Sequence, residues 1–283
     1  MKKGLILEGG AMRGLFSCGA CDVMMSEGIE FDGCIGVSAG AAFGCNYKSR
    51  QIGRALRYNT KYCNDKRFCS FSSLIKTGDM FGAEFCYEKI PFELDIFDTP
   101  TFTENPMEFY TVATDALTGE AYYHKCYDGL GDDLLHIRAS ASMPLVSRPV
   151  FINGTPYLDG GIADSIPLSY FESIGYEKNV VILTQPKGYI KEKNKMIPLM
   201  KIALRKYPRL VDTMARRHEI YNKTIEYIEK REKEGAVLVI RPDEKLPVGR
   251  IEHDPEKLRE VHAVGEAIAK REMDKIKDFL SLK

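Results

Sequence analysis

Apolar residues occur in short runs, separated by glycine-rich turns and by longer stretches with helical spacing. Residues 4 to 8 form a brief apolar run that predicts a buried strand, and Leu15 to Ser26 carry apolar side chains at helical spacing. A second apolar run, Cys34-Ile35, precedes a helical pattern from Ala39 to about Tyr62 that breaks near Ser49. Strands that alternate with helices in this way predict an α/β protein with a mostly parallel central sheet covered by helices on both faces.

The middle of the chain has a less regular pattern at first and then returns to strands. Residues 64 to 105 mix Phe, Ser, Gly and Pro without a sustained period, which predicts a cap or an irregular insertion. The elements predicted after it are a strand at 109–114, a hairpin partner at 120–125, a helix at 134–142 that Pro144 ends, a hairpin at 149–158 around Asn153-Gly154, and an apolar strand at 180–183.

The last third of the chain differs in composition, because charged residues dominate it. Aliphatic residues recur at helical spacing in 196–233 and 256–282, and an apolar strand is predicted at 236–241. We therefore expect one domain over residues 1–185 and a largely helical C-terminal accessory region over 186–283. The strand in that region could extend the main sheet, so the two parts can pack as one body.

Composition and charge narrow the possible partners. The chain has 283 residues, of which 44% are hydrophobic, and its 40 basic and 40 acidic side chains leave no formal net charge. There is thus no overall electrostatic case for binding nucleic acid or an anionic membrane, and such partners would need a local patch. The N-terminal apolar run is too short for a signal peptide, and no run approaches the ~20 residues of a membrane span. We expect a soluble, cytoplasmic protein with no nucleic-acid partner.

The eight cysteines are scattered, and only Cys18 and Cys21 form a CxxC pair. A tetrahedral zinc site would need a second Cys or His pair at matching spacing, which the sequence lacks. We expect reduced thiols, mostly buried as small apolar side chains, and no metal.

Three polar features fit one reaction. A glycine-rich loop, Gly9-Gly10-Ala11-Met12-Arg13-Gly14, follows the first strand. The sequence Gly36-Val37-Ser38-Ala39-Gly40 joins the second strand to a helix, which is the context of a nucleophile elbow. Asp159 lies in a turn with Gly160-Gly161. Each feature alone is weak evidence, but their order along the chain is far more specific.

In that order the three features resemble the patatin-like phospholipase family. The stretch Ala139 to Pro144, followed by Pro149 and then Asp159, also looks like the family's approach to its aspartate. The resemblance covers about residues 4–185, and the charged remainder looks like an accessory region found in some bacterial members. It implies a three-layer α/β fold that hydrolyses acyl esters of lipids with a serine-aspartate dyad, without histidine, metal or cofactor. The implied partner is a lipid or another acyl ester, met in transient contact with a membrane surface.

The chemistry assigns a role to each part of the motif. A serine hydroxyl needs a base to take its proton, so Ser38 is the predicted nucleophile and Asp159 the predicted general base. The oxyanion donors are the backbone N–H groups of Gly9, Gly10, Ala11 and Met12, with Arg13 and Gly14 supporting the loop and Gly36 and Gly40 allowing the tight elbow. We expect the Arg13 guanidinium to anchor the loop. Ala11 stands where the family usually has glycine, and a Cβ there costs about 1 kcal/mol if the position requires positive φ.

Three other interpretations stay open from the sequence. A conventional Ser-Asp-His hydrolase would need its histidine late in the chain, at His218, His253 or His262, whereas His124 and His136 are expected on a strand face and at a helix start. Nucleotide binding would use the glycine loop, although its pattern departs from Gly-x-Gly-x-x-Gly. A catalytically weak or inactive interaction protein could also be built on this fold.

A cluster of aromatic and methionine side chains has two possible roles. It could line an acyl pocket or a lid that meets lipid, or it could simply form core. The cluster comprises Phe81, Phe85, Tyr87, Phe92, Phe97 and Phe102, together with Met80 and Met107.

Overall fold

The computed structural model describes residues 1–281 and contains one mixed sheet. The strands are β1 (Lys2–Leu7), β2 (Gly33–Val37), β3 (Glu108–Asp115), β4 (Ala121–Cys126), β5 (Val150–Ile152), β6 (Thr155–Asp159), β7 (Tyr176–Ile182) and β8 (Val237–Ile240). The helices are α1 (Gly14–Ser26), α2 (Ala39–Lys48), α3 (Arg54–Tyr62), α4 (Phe71–Thr77), α5 (Thr99–Glu104), α6 (Gly131–Ser140), α7 (Leu168–Ser173), α8 (Ile197–Ala203), α9 (Pro208–Lys233) and α10 (Pro255–Phe279). A π-helix covers Phe85–Leu94, and 3-10 turns cover Ala11–Arg13 and Gly160–Ile162.

The sheet has the strand order β5-β6-β3-β2-β1-β7-β8, with β4 also paired to β3. The strands β1, β2, β3, β7 and β8 run parallel to their neighbours in this series, whereas β4, β5 and β6 pair antiparallel. Because neighbouring parallel strands end at the same edge, the turns after β1 and β2 lie side by side. The predicted hairpin partner of β3 and the hairpin around Asn153-Gly154 are both confirmed.

Side chains along each central strand alternate between two cores, one on each face of the sheet. In β1, Leu5 and Leu7 join the core that contains residues of α1, α2, α3 and α10, and Ile6 joins the core that contains residues of α7 and α9. All three are essentially inaccessible to solvent. This alternation follows from the two-residue period of a strand and produces three layers. The predicted three-layer α/β fold is confirmed.

Part of the C-terminal portion is built into these layers. Strand β8 pairs in parallel with β7, and α10 lies along α1 in the same helix layer. A hydrogen bond of 2.8 Å joins His262 Nε2 of α10 to Asp22 Oδ2 of α1, and both side chains are buried.

Several short helices were not predicted from the pattern. The stretch 64–105, expected to be irregular, contains α4, α5 and the π-helix, and α7 was missed altogether. Helices of six or seven residues complete too few turns to establish a period, and Pro91 lies inside the π-helix. The predicted helix over 196–233 is divided into α8 and α9, with Pro208 at the first position of the second helix. Residues 282 and 283, at the end of the predicted C-terminal helix and accessory region, lie outside the described residues.

The cysteines agree with the sequence prediction. All eight are free, and all but Cys86 are buried. Among residues 1–281, no helix is both long enough and apolar enough to cross a membrane.

Candidate active site

Ser38 is the single residue between β2 and α2, and it adopts a backbone conformation with φ 56° and ψ −119°. Positive φ is unfavourable for a residue with a Cβ, so this turn is held by the strand and helix on either side. The glycines of the elbow are required by close approach of backbone atoms. A Cβ on Gly36 would lie 2.2 Å from the carbonyl oxygen of Gly40, and one on Gly40 would lie 2.3 Å from that of Leu7. The hydroxyl therefore stands at the carboxyl edge of the sheet.

Ser38 and Asp159 meet although 121 residues separate them. The Ser38 hydroxyl donates a hydrogen bond of 2.8 Å to Asp159 Oδ2, and the Gly161 amide donates one of 2.8 Å to Asp159 Oδ1. Asp159 is the last residue of β6, where its carbonyl accepts from the Thr114 hydroxyl at 2.8 Å. Both oxygens of the carboxylate are thus oriented by donors, one of which is the Ser38 hydroxyl.

The environment of Asp159 makes its carboxylate more basic than a free aspartate. Burial raises the pKa of Asp159, while the nearby Arg217 and the hydrogen bonds from Ser38 and Gly161 act in the opposite direction. Only 6% of the residue is exposed. The net direction is upward, so this carboxyl group binds a proton more readily than its free counterpart does.

The glycine-rich loop carries free backbone donors and contacts Ser38. Within residues 1–281, the backbone N–H groups of Gly9, Gly10, Ala11 and Met12 donate no hydrogen bond to the chain. Ala11 has φ 50°, so the position does take the positive φ at which a Cβ is costly. The loop and Ser38 are in contact, because a Cβ on Gly9 would lie 2.9 Å from the Ser38 Cβ.

The Arg13 guanidinium, predicted to anchor this loop, makes no hydrogen bond in the described chain, and its Nε is buried without a partner. The loop is anchored one residue before its first glycine, by Glu8. The Glu8 carboxylate accepts from the Thr184 amide at 2.6 Å and from the Tyr221 hydroxyl at 2.8 Å. An acidic residue at the end of an apolar strand was the available signal for this role, but its partners lie far away in sequence.

Two further polar residues near Ser38 and Asp159 were not singled out from the sequence. Ser140, at the end of α6, accepts a hydrogen bond of 2.8 Å from the Ser38 amide and so fixes the elbow backbone. Arg217, in α9, donates through Nε to the Gly161 carbonyl and through Nη2 to the Ser165 hydroxyl at 3.4 Å. Arg217 therefore holds the turn that carries Asp159, and its charge lies close enough to act on that carboxylate.

Two cavities of about 130 Å³ each meet at Ser38. One is mainly apolar and extends under α3 and the π-helix. It is lined by Met12, Ala42, Phe43, Tyr58, Asn59, Phe68, Phe81, Tyr87, Ile90, Phe97, Ile137 and Met143, among others. A channel of this kind accommodates a hydrocarbon chain whose carbonyl carbon lies beside the hydroxyl.

The aromatic cluster noted in the sequence divides between pocket and core. Phe81, Tyr87 and Phe97 line the apolar cavity. Of the rest, Phe92 is exposed, and Phe85, Phe102, Met80 and Met107 are buried without lining it.

The second cavity is polar and carries four basic side chains, Arg13, Lys191, Arg217 and Arg250, opposite the carboxylates of Glu8 and Asp159. The Lys191 ammonium lies 4.2 Å from the ring centre of Tyr221. Burial, together with the neighbouring Arg217, lowers the pKa of Lys191 to about 8. Basic groups outnumber acidic groups here, so this side of Ser38 favours an anionic ligand.

The histidines of the chain lie elsewhere, and none lines either cavity in the part that the structure describes. His262 pairs with Asp22, and the ring of His253 contacts the Cys63 carbonyl. His124 stacks on His136 with ring centres 3.9 Å apart. The geometry thus gives no support to a Ser-Asp-His triad.

His124 also belongs to the one group whose donor atoms could hold a metal ion among residues 1–281. The donor atoms of His124, Cys126 and Asp133 lie within 4.8 Å of one another. Protein donors already surround Asp133, which contacts His124 Nε2 at 2.7 Å and accepts three backbone N–H groups from residues 127–129. This group has a structural explanation without a metal.

Comparison with known proteins places this geometry in context. The model of the patatin-like phospholipase family matches residues 5–172, and a model described as a domain of unknown function (DUF6363) matches residues 207–281. The uncharacterized protein YjjU of Escherichia coli is 30% identical over 200 residues, which cover 64% of this chain and 52% of that protein. Lysophospholipase nte1 of Aspergillus niger is 25% identical over 298 residues, which cover 97% of this chain and 18% of that protein.

A solved structure shares the fold. The crystal structure of VipD from Legionella pneumophila superposes with a TM-score of 0.50 and 11% identity, covering 97% of this chain and 67% of VipD. At that identity the likeness concerns the fold alone. The chain spans about half the length of the Escherichia coli relative and under a fifth of the fungal one. Because the family model matches more than half of its residues, this protein belongs to the patatin-like phospholipase family.

Proposed function

We propose that this protein is a lipid acyl hydrolase that uses Ser38 as nucleophile and Asp159 as general base. The observation that carries the proposal is the hydrogen bond of 2.8 Å from Ser38 Oγ to Asp159 Oδ2, at the point where an apolar and a polar cavity meet. Membership of a phospholipase family supports the substrate class.

In the proposed reaction, Ser38 Oγ attacks the ester carbonyl carbon while its proton passes to Asp159. The carbonyl oxygen becomes an oxyanion, and the free N–H groups of Gly9, Gly10 and Ala11 are suited to stabilise it. Asp159 then returns the proton to the leaving alkoxide, which departs as an alcohol and leaves an acyl-serine. Water hydrolyses this intermediate by the same steps, with Asp159 as base, and releases the fatty acid. The raised pKa of Asp159 favours the first proton transfer.

The two cavities suggest how the ester is oriented. The acyl chain would enter the apolar cavity, and the alcohol part of the substrate would face the polar one. Its basic residues, Arg13, Lys191, Arg217 and Arg250, favour a head group with a negative charge over a neutral alcohol. This supports a lysophospholipid or phospholipid rather than a neutral glyceride.

We further propose that residues 1–185 form the catalytic part and that 186–283 form an accessory region that completes the polar cavity. The two family models match separate stretches on either side of this boundary. Three of the four basic residues in the cavity, Lys191, Arg217 and Arg250, come from the second stretch.

A fluorophosphonate probe and an ester panel test the proposal together. We expect the probe to label Ser38 and the Ser38→Ala variant to remain folded but unlabelled. A panel graded by acyl length and head group should show turnover that is absent in Ser38→Ala. A folded wild-type protein without labelling or turnover would instead favour the inactive interaction protein.

A further inference from the structure

The stretch that follows β7 and runs into the first turn of α9 has an unusual charge. Residues 187–209, here named the basic segment, include α8 and carry one acidic residue, Glu192. Eight of the 23 positions are basic, in a chain whose formal net charge is zero. They are Lys187, Lys191, Lys193, Lys195, Lys201, Arg205, Lys206 and Arg209.

These charges are not neutralised by the protein itself. All of them except Lys191 are exposed, and in the described part of the chain none of the eight lies within salt-bridge distance of a carboxylate. By contrast, the exposed lysines of α10 pair with acidic neighbours, as Lys270 does with Glu266. The basic segment therefore produces a positive field around this part of the surface. It forms a local basic patch on a chain whose overall net charge is zero.

Large apolar side chains are exposed among these lysines. Ile190 and Ile202 are each 73% exposed, and Met196 and Leu199 are each 48% exposed. The inward side of α8 is filled by other residues, Ile197 and Met200, which are buried against α9. The outward apolar side chains are thus not needed for the core. A single exposed apolar side chain is ordinary on a protein surface, but four within one short basic stretch mark an interaction surface.

The basic segment also forms part of the rim of the polar cavity. Lys191, Asn194 and Met200 line that cavity together with Ser38. The backbone of Lys191 is fixed by the side chain of Asn222, which accepts from its N–H at 2.9 Å and donates to its carbonyl at 3.1 Å. Whatever the exposed face of the segment binds is therefore held next to the cavity.

We propose that the basic segment docks onto the surface of an anionic lipid bilayer. Its lysines and arginines contact the lipid phosphates, and Ile190 and Ile202 enter the boundary between head groups and acyl chains. Charge alone would suit a nucleic acid or an acidic protein, but neither requires exposed aliphatic side chains between the charges. The combination of basic and apolar side chains is what a stable, non-spanning contact with lipid requires. This inference goes beyond the proposed hydrolysis, because binding does not depend on a reactive Ser38.

Co-sedimentation with vesicles tests the proposal in a Ser38→Ala background, so that no lipid is consumed. We expect binding to vesicles of phosphatidylcholine mixed with phosphatidylglycerol, weakened by high salt, and little binding to phosphatidylcholine alone. The variant Lys193→Gln/Lys195→Gln/Lys201→Gln removes three charges that do not line the cavity. At low salt it should bind anionic vesicles roughly a hundredfold more weakly.

The matched control removes three exposed lysines of α10, on the opposite face of the sheet. The variant Lys257→Gln/Lys270→Gln/Lys275→Gln should bind anionic vesicles as tightly as its parent. Equal binding by the two triple variants, or no binding of the parent to anionic vesicles at low salt, would overturn the proposal. Tight binding to duplex DNA without binding to vesicles would do so as well.

The apolar contribution is tested separately. Ile190→Ser/Ile202→Ser should lower the affinity for anionic vesicles at least about tenfold while the salt dependence remains. Unchanged affinity would overturn insertion of these side chains. In a wild-type background the lysine triple variant should still hydrolyse a short, water-soluble ester. Failure of docking can thus be distinguished from failure of the proposed catalysis.

Discussion

Replacing Asp159 with asparagine tests the proposed base with almost no change in size. The amide oxygen can still accept from the Gly161 amide, whereas an NH2 group takes the place of Oδ2, so the side chain can neither accept the Ser38 hydrogen bond nor take the Ser38 proton. General bases contribute roughly a hundredfold to ten-thousandfold to rate, and we expect kcat to fall by about that factor.

The same substitution should stabilise the protein at neutral pH. Burial raises the pKa of Asp159 in the folded state above its unfolded value of about 3.9. The charged carboxylate is therefore less favourable in the folded chain, and this destabilisation grows as pH rises from the unfolded pKa to the folded pKa, then stays constant. A difference of one pH unit between the folded and unfolded pKa corresponds to about 1.4 kcal/mol. The asparagine side chain carries no charge, so the variant avoids this destabilisation and its free energy of unfolding near neutral pH is higher than that of the wild type. The difference disappears below about pH 4.

Thermal unfolding from acid to neutral pH measures the difference, with Asp164→Asn as control. Burial also raises the pKa of Asp164, which accepts from the Tyr123 hydroxyl at 2.8 Å and does not contact Ser38. The control should show the same sign of pH dependence but retain hydrolysis. Turnover by Asp159→Asn at the wild-type rate would rule out Asp159 as the base, and a stability relative to wild type that falls as pH rises would rule out a raised pKa at this residue.

Three further predictions concern the loop, its anchor and the apolar cavity. Ala11→Gly removes a Cβ at a residue with positive φ and so relieves about 1 kcal/mol of backbone strain, and hydrolysis should be retained or improved. A rate loss above about tenfold would show that Ala11 contributes more than this strain. Tyr221→Phe leaves a buried oxygen of Glu8 without its donor, so the free energy of unfolding measured in urea should fall by about 1 to 3 kcal/mol. The control is Tyr189→Phe, which should change it little because the Tyr189 hydroxyl has no partner in the described chain. Ala42→Leu narrows the apolar cavity, so kcat/KM for long acyl esters should fall by about 10-fold or more relative to butyryl esters. An unchanged dependence of kcat/KM on acyl length would show that the acyl chain binds elsewhere.

The parts of the site that the sequence predicted are those with a local signature. The elbow at Ser38 and the loop at Gly9 and Gly10 follow directly after apolar strands, so their position at one sheet edge could be predicted from the alternation of strands and helices. The turn at Asp159 could be connected to Ser38 only through the family resemblance, because no local pattern reports a contact across 121 residues.

The parts that could not be predicted depend on contacts between distant segments. Glu8 pairs with Tyr221, which lies 213 residues away, and Arg217 reaches Gly161 across 56 residues. In sequence both Tyr221 and Arg217 are ordinary members of a charged amphipathic helix, so nothing separates them from the solvated residues around them. The same limit applies to Arg13, because its place in the loop could be predicted from the sequence but its contacts could not.

The contacts from α9 explain why the C-terminal portion is more than an appendage to the site. The Tyr221 hydroxyl satisfies the buried Glu8 carboxylate, which directly follows β1 and precedes the loop that carries the free N–H groups. Four residues earlier on the same helix, Arg217 binds the Gly161 carbonyl and so holds the turn whose amide orients Asp159. Residues at i and i+4 lie on one face of a helix, so a single face of α9 supports both the glycine-rich loop and the proposed base, Asp159. A shift of this helix by about 1 Å would disturb both sides of the proposed reaction site at once, and misplacements of that size can cost about a hundredfold in rate.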